Sequence, residues 1–567
     1  MSSKFSAYSQ SHSISKQRCF LILFLVSIPF LMFVLSMKYQ RVDVHLNTKP
    51  NSPKKYLNTK PAWFEVIAKG FNGKTKIKIG LVNVNSRSMD KQLHAIRPQV
   101  DIVPIHFDRL DENLKWSDFF PEWIDEENKW DEPKCPDMPM PSLENYKDLD
   151  VVIAMVPCGE GLGEEKGIRD LFRLQVNLVV ANLAVETKWQ EKLESRNMYV
   201  VFVGSCGPMS EIFRCDDLLM HQGDYWVYKP NLKRLKQKTL MPVGSCQISP
   251  GYAESGKETW RMSQISYSNK IVQVPKLAYV TVLHSSEDYV CGAIALAQSI
   301  LLTRNTIFYP IDLVLLADDS IGPKSIRGLT DAGWKIKRVQ RIESPFAKKT
   351  AYNRWNYSKL RIWQLTMYDK IIFIDSDFLV LKNIDGFFAY PQLSAAPNEN
   401  VIFNSGLIVV EPSQCMFGNM MNKTSKVKPY NGGDQGFLNE IFTWWHRLPS
   451  KLNHMKSFTQ MDDNDKHEVP KDVYALHYLG LKPWTCYRDY DCNWDMQDHH
   501  IFASDSANEV WWRVYDTMPK NLQQYCALTK ESNERNVKHR KRARNASFPD
   551  GHWRIEIKDP RKMKYLD

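Results

Sequence analysis

The chain has 567 residues, 43% of them hydrophobic and 25% charged, with a formal net charge of +11. That length implies two to four domains with ample core, and that balance excludes a disordered or fibrous chain. The positive charge suits anionic ligands such as nucleotides, nucleic acid or acidic glycans, and equally a surface with a mild lysine excess.

Residues 1–18 carry Lys4, Lys16 and Arg18 and no acidic residue. Cys19 to Met37 is then an apolar run softened only by Ser27, Pro29 and Ser36. About 19 helical residues span roughly 28 Å, near the thickness of a bilayer core. A cleaved signal peptide is the alternative, but its core is typically ~7–15 residues and is followed by a small-x-small site, which is not evident here. The expectation is a type II signal anchor, with residues 1–18 cytosolic and 38–567 luminal. Residues 38–73, rich in Lys, Asn, Pro and Thr, read as a stem. Sequons at Asn356, Asn422 and Asn545 suit a luminal glycoprotein, and Cys486, Cys492 and Cys526 are close enough in sequence for a local bridge.

A first α/β region is expected over 74–255. Its predicted strands are Ile77 to Val82, Val151 to Val156 and Val200 to Val203, with a helical pattern from Ile168 to Leu178. It contains no catalytic constellation, and packing against the catalytic part is the plain expectation for it. A second α/β region, 272–525, alternates strands at Ala278–Leu283, Ile311–Leu316 and Ile371–Ile374 with helices at Gly292–Leu301 and Leu360–Met367. Alternation of this kind predicts a parallel or mostly parallel sheet, with ligands at the carboxyl ends of its strands. Residues 526–567 include Lys538 to Arg544, a basic run read as a solvated tail; a luminal address argues against nucleic acid as a partner.

Ile374-Asp375-Ser376-Asp377 ends an apolar strand. In extended chain, residues two apart share a side, so Asp375 and Asp377 can meet on one hard divalent cation. Asp148/Asp150, Asp463/Asp465 and Asp489/Asp491 repeat the pattern at a strand start or in polar loops. His477 closes another apolar segment, and an imidazole beside two carboxylates favours Mn²⁺ over Mg²⁺. Lys482 follows within reach of a diphosphate. Asn431-Gly432-Gly433-Asp434-Gln435-Gly436 and Phe403-Asn404-Ser405-Gly406 read as polar turns, the second before a strand at Leu407–Val410.

Together with Tyr357-Ser358-Lys359-Leu360 and His477-Tyr478-Leu479-Gly480-Leu481-Lys482, these motifs resemble glycosyltransferase family 8, over about residues 277–485. The first α/β region and the run Asn431–Glu440 followed by Trp444–Pro449 resemble one plant branch, the glucuronosyltransferases that substitute xylan, often described as glycogenin-like starch initiation proteins. The resemblance implies a GT-A-type fold, anomeric retention, a UDP-glucuronate donor and a xylan acceptor. It implies Mn²⁺ on Asp375, Asp377 and His477, with Ser376 beside them. Lys482 and the turn at Gly480 are implied to hold the diphosphate, with Tyr478, Leu479 and Leu481 in the same substrate-binding run, and Tyr289 and the backbone near Val282 the uridine. Lys359 is implied to contact the donor and support catalysis, with Gln435 and with Asp434, which either stabilises positive charge at the anomeric carbon or acts as nucleophile. Asn404, Asp434 and Gln435 are implied to face the transferred sugar, and Ser405, Gly406, Asn431, Gly432 and Gly433 to belong to the same substrate-binding set. Asn431 stands where glycogenin has aspartate, which leaves Asp434 as the only acid of that turn. Arg354 and Arg361 are candidates for the cation opposite a glucuronate carboxylate. A glycogenin-like glucosyltransferase acting on itself or a short glucan, and an inactive membrane-anchored scaffold, are the alternatives. Association with other Golgi glycosyltransferases is a further expectation.

Overall fold

The computed structural model describes residues 60–563, apart from 72–73, 85–88, 90–92, 128, 130–134, 159–168, 187–196, 250–274, 305–309, 400 and 459–466. The expected anchor at 19–37 and its cytosolic tail lie outside the described residues. Among the described residues no helix is long and apolar enough to cross a membrane.

The first sheet comprises β1 (Ile77–Val82), β2 (Val100–Pro104), β3 (Val151–Met155), β4 (Tyr199–Val203), β5 (Leu218–Gln222) and β6 (Tyr225–Tyr228). Its order is β2-β1-β3-β4-β6-β5, parallel from β2 to β4 and closed by the antiparallel β5–β6 pair. The folded part starts before the expected end of the stem. Helix Ala62–Ala68 buries Trp63, Phe64 and Ile67 in the core of this sheet. That short apolar face is hidden in a Lys- and Pro-rich stretch, so composition alone reads it as stem.

The second sheet comprises β7 (Leu277–Leu283), β8 (Ile311–Ala317), β9 (Lys335–Arg338), β10 (Lys370–Ile374), β12 (Ser394–Glu399), β13 (Ile402–Val410) and β14 (His446–Arg447). Its order is β14-β12-β13-β10-β7-β8-β9. The pairs from β10 to β9 are parallel, whereas β13 runs antiparallel to both β10 and β12. A connection as short as that between Glu399 and Ile402 can only join antiparallel strands, so the sheet is mixed rather than wholly parallel. A small third sheet pairs β11 (Phe378–Val380) with β16 (Ala475–His477), and β16 with β15 (His454–Met455).

One apolar core runs through both large sheets. It takes Val152 and Phe202 from the first, Val280, Phe373 and Ile408 from the second, and most of helix Leu171–Val185. That helix is apolar nearly all round, as a helix buried on every side must be. Polar ties cross the same boundary: buried Arg214 meets Glu411 at 2.8 Å, and the buried Arg447 guanidinium donates to Ser245 O at 2.6 Å and to Pro121 O. The Cys215–Cys415 disulfide crosses it too.

All ten cysteines of the described residues are paired, as 135–246, 158–206, 215–415, 291–526 and 486–492. Cys486 and Cys492 form the local bridge, while Cys526 joins Cys291 in helix Val290–Thr303. Residues 526–563 are not a solvated tail. Helix Lys530–Asn545 exposes Lys538, Lys541, Arg542 and Arg544, but buried Asn536 donates to Thr485 O at 2.9 Å. Buried Arg561 pairs with Asp559 and reaches the carbonyls of Trp484, Cys486 and Cys526. These partners are up to 77 residues away, so a local charge run gives no sign of them.

Candidate active site

β10 is apolar and buried along its length, and it delivers Asp375 to the carboxyl end of the sheet. The chain then turns, Phe378 N donating to Asp375 O at 3.2 Å. A turn, rather than extended alternation, therefore brings Asp375 and Asp377 together. β16 pairs with β11 and sets His477 opposite Phe378, with the rings stacked at 4.2 Å. Burial lowers the His477 imidazole to about pH 4, so it is neutral. Its Nδ1 lies 3.1 Å from Asn453 Oδ1, and Asn453 in turn donates to Asn404 Oδ1 at 2.9 Å. That relay assigns the proton to Nδ1 and leaves the lone pair on Nε2, 3.5 Å from Asp377 Oδ1. Two acceptors facing each other call for a cation between them.

Lys482 Nζ sits 2.8 Å from Asp377 Oδ2, and Lys359 Nζ 3.2 Å from Asp375 Oδ2. Among the described residues no three His, Cys, Asp or Glu side chains close on a single point. The donor set nevertheless fits a divalent metal chemically, with two carboxylates and a neutral imidazole whose tautomer is fixed from behind. Burial raises the Asp375 carboxyl against the pull of Lys359, and the charges of Asp377 and Asp434 raise it further. Burial also disfavours charge on Asp377, but Lys482 outweighs it and holds that carboxyl low. Tyr289 borders the same place: its ring is 5.9 Å from Lys482 Nζ and edge-on to Trp484.

Asp434 begins helix Asp434–Ile441, where the helix dipole favours negative charge. Its Oδ2 is 2.6 Å from Lys359 Nζ and accepts from Ser405 Oγ at 3.0 Å; Asn356 also bonds the carboxylate. Burial opposes ionisation, yet these partners hold the Asp434 carboxyl below its ordinary range. Lys359 thus bridges Asp375 and Asp434, and it also donates to Ser405 O at 3.1 Å. Gln435 is held at both ends, accepting from Ser405 N at 3.2 Å and donating to the Tyr430 phenol at 2.7 Å. Asn431 Oδ1 accepts from Gly433 N and Gly436 N, shaping the turn, and Gly432 takes φ +69° there.

Residues 280–395 match the pattern of glycosyl transferase family 8, and residues 53–246 match the GUX1-5 N-terminal domain. Arabidopsis thaliana UDP-glucuronate:xylan alpha-glucuronosyltransferase 2 is 46% identical over 88% of this chain and 83% of its own. Number 1 of the same series is 41% identical over 86% of this chain and 72% of its own. Number 4, which bears the name provisionally, is 48% identical over 97% of this chain and 98% of its own. The chain belongs to the UDP-glucuronate:xylan alpha-glucuronosyltransferase family. Like other family 8 glycosyltransferases it has a GT-A-like α/β fold. The galactosyltransferase LgtC, of known structure, aligns over 44% of this chain and 99% of its own, at 16% identity and a TM-score of 0.33.

Asp375, Asp377, His477, Lys482, Lys359, Asp434, Gln435, Ser405 and Tyr289 are joined by one continuous set of contacts and charge interactions. Several other expected contacts are structural instead. Tyr478 is buried and its phenol donates to Ala507 O at 2.9 Å, so the side chain faces the core. Leu481 packs beside the Cys486–Cys492 bridge. Asn404 lies inside β13 rather than in a turn, and its amide is spent on Asn398, Gly406 and Asn453. Gly406 makes room for His477, since a Cβ there would lie 3.0 Å from its ring. Gly480 takes φ +72°, and a Cβ would meet Asn493 Oδ1 at 2.4 Å. Arg354 pairs with Glu343, and Arg361 donates to Gln340 O and Gln364 Oε1. Asp150 and Asp489 serve backbone and lysine partners, and Asp491 pairs with Lys456; Asp463 and Asp465 lie outside the described residues. Asn453, Asn493 and Asn439 escaped the sequence reading. Asn439 clamps Phe403 through N and O at 2.9 and 3.0 Å, and its place one turn after Gln435 was the available signal.

Proposed function

We propose that this chain transfers glucuronic acid from UDP-glucuronate to the xylan backbone, with retention at the anomeric carbon and dependence on Mn²⁺. The observation that carries this is identity of 41–48% to the named xylan alpha-glucuronosyltransferases, across both the N-terminal and catalytic regions, with the charged constellation intact. An alpha product from an alpha-linked nucleotide sugar supports retention.

Asp375, Asp377 and His477 would hold the metal, which when bound supplies Lewis-acid charge to the departing diphosphate. Lys482, fixed on Asp377, adds a second positive charge beside the leaving group. Asp434, kept ionised by Lys359 and Ser405, supplies negative charge where the anomeric carbon becomes positive. Lys359 ties the two carboxylate sites into one rigid unit. Gln435, oriented from Ser405 and Tyr430, holds the sugar ring against that unit.

A signal anchor at 19–37 with a luminal Golgi catalytic part belongs to the same reading. Five disulfides support an oxidising compartment. Asn422 and Asn545 are exposed sequons, whereas Asn356 is bound to Asp434, so glycans are expected on the first two and not the third. The functional test is a competition between UDP-glucuronate and UDP-glucose on xylo-oligosaccharides. Preference for glucuronate is the expected result; equal use of both donors contradicts it.

A further inference from the structure

A cavity of about 370 Å³ opens beside the catalytic turn, bordered by Lys348, Tyr352, Asn353, Lys428, Tyr430 and Asn431. It lies in the size range of small-ligand sites. Its two charged lining groups are both ammonium groups, and no carboxylate lines it. Neither Lys348 nor Lys428 has an ion-pair partner among the described residues. The two tyrosines are unusually open: Tyr352 is 91% exposed and Tyr430 56%. Aromatic rings in the open offer apolar faces to the C–H face of a pyranose, with a polar tip at the edge.

The cavity is built into the catalytic turn. Asn353 donates to Asn431 O at 2.8 Å, Ser344 Oγ donates to Gly432 O at 2.7 Å, and the Tyr430 phenol accepts from Gln435. A ligand seated on Tyr430 is therefore one hydrogen bond from Gln435. The diphosphate already has Lys482 beside the metal carboxylates, so this second pair of cations calls for a different anion, on a ring.

We infer that this cavity is a uronate subsite, in which Lys348 and Lys428 receive a sugar carboxylate while Tyr352 and Tyr430 take the ring. It deepens, and rests on, the reading of the chain as a glucuronosyltransferase. The same chemistry has two sources: the C6 carboxylate of the donor, or a glucuronate already carried by the acceptor.

Calorimetric binding separates the two without requiring turnover. One arm compares UDP-glucuronate with UDP-glucose; the other compares a glucuronate-bearing xylo-oligosaccharide with its neutral counterpart. The wild type, Lys348→Gln, Lys428→Gln, the double variant and the double Lys→Arg variant are measured at low and high salt. The expected result is tighter wild-type binding of the uronate-bearing ligand in one arm. Each Gln substitution is expected to weaken that arm about three- to tenfold, and the Arg variant to keep it. The arm that responds names the source. Equal affinities for wild type and double Gln variant in both arms overturn the subsite. Failure of the wild type to transfer glucuronate in a parallel turnover assay overturns the parent reading instead, while the binding arms still decide the cavity. Both lysines are exposed, so unchanged melting temperatures are expected and serve as the folding control.

Discussion

Asp434 is the acid whose charge the site protects most carefully. Lys359, Ser405 and Asn356 all hold it ionised, against burial. Asp434→Asn keeps the shape and removes the charge, so kcat is expected to fall about 100- to 1,000-fold with KM little changed. Steady-state kinetics check this; a rise in KM alone makes Asp434 a binding residue. Asn453 sits one step back, fixing the His477 tautomer. Asn453→Ala is expected to weaken metal affinity about 10- to 100-fold, read as a rightward shift in the Mn²⁺ activation curve with substrate saturating.

Among the elements, the C-terminal segment gives a pH-dependent prediction. His552 stacks on Trp494 and lies 2.8 Å from both Asp505 and Asp550. Burial opposes its charge, but hydrogen bonds to the two aspartates prevail and push it up from 6.5 to about 9. A raised folded-state value means that stability is fully present below about pH 6.5 and is lost as pH rises through about 9. His552→Gln is expected to flatten the fall in melting temperature across that window. Asp505 also accepts from Asp491 N, and Asp491 pairs with Lys456, whose amide donates to His477 O; this segment therefore braces the strand that carries His477. None of that bracing was visible in the basic run 538–544. The strands Ile77–Val82 and Lys370–Ile374, by contrast, are apolar runs with clear ends, and sequence placed them within a residue. The Asp375/Asp377 and His477 motifs are legible for the same reason, since each sits where an apolar segment stops, whereas Asp434 is marked by the glycine turn before its helix. The burial of Asn404 within β13 and the Asn453 relay depend on contacts tens of residues apart, which spacing does not encode.

At the scale of the molecule, the N-terminal sheet and the catalytic sheet share one core, and Glu411 lies at their junction. It follows β13 directly and faces Arg214 at 2.8 Å, Lys370 at 3.6 Å and Arg234 at 3.8 Å. Burial opposes its charge, but Lys370, Arg214 and Arg234 hold it at about 2. Glu411→Ala strands buried cations, so a loss of about 3–5 kcal/mol is expected, measured by denaturant unfolding. Because β13 also carries Asn404 and Ser405, activity should fall with it. The account of function is tested most directly by product analysis. Purified protein is incubated with Mn²⁺, UDP-glucuronate and a xylo-oligosaccharide, and the product is examined by mass spectrometry and NMR. A single alpha-linked glucuronosyl substituent on a backbone xylose, absent when the metal is chelated, is the predicted result; a beta linkage, transfer of glucose in preference, or no transfer to xylan contradicts the account.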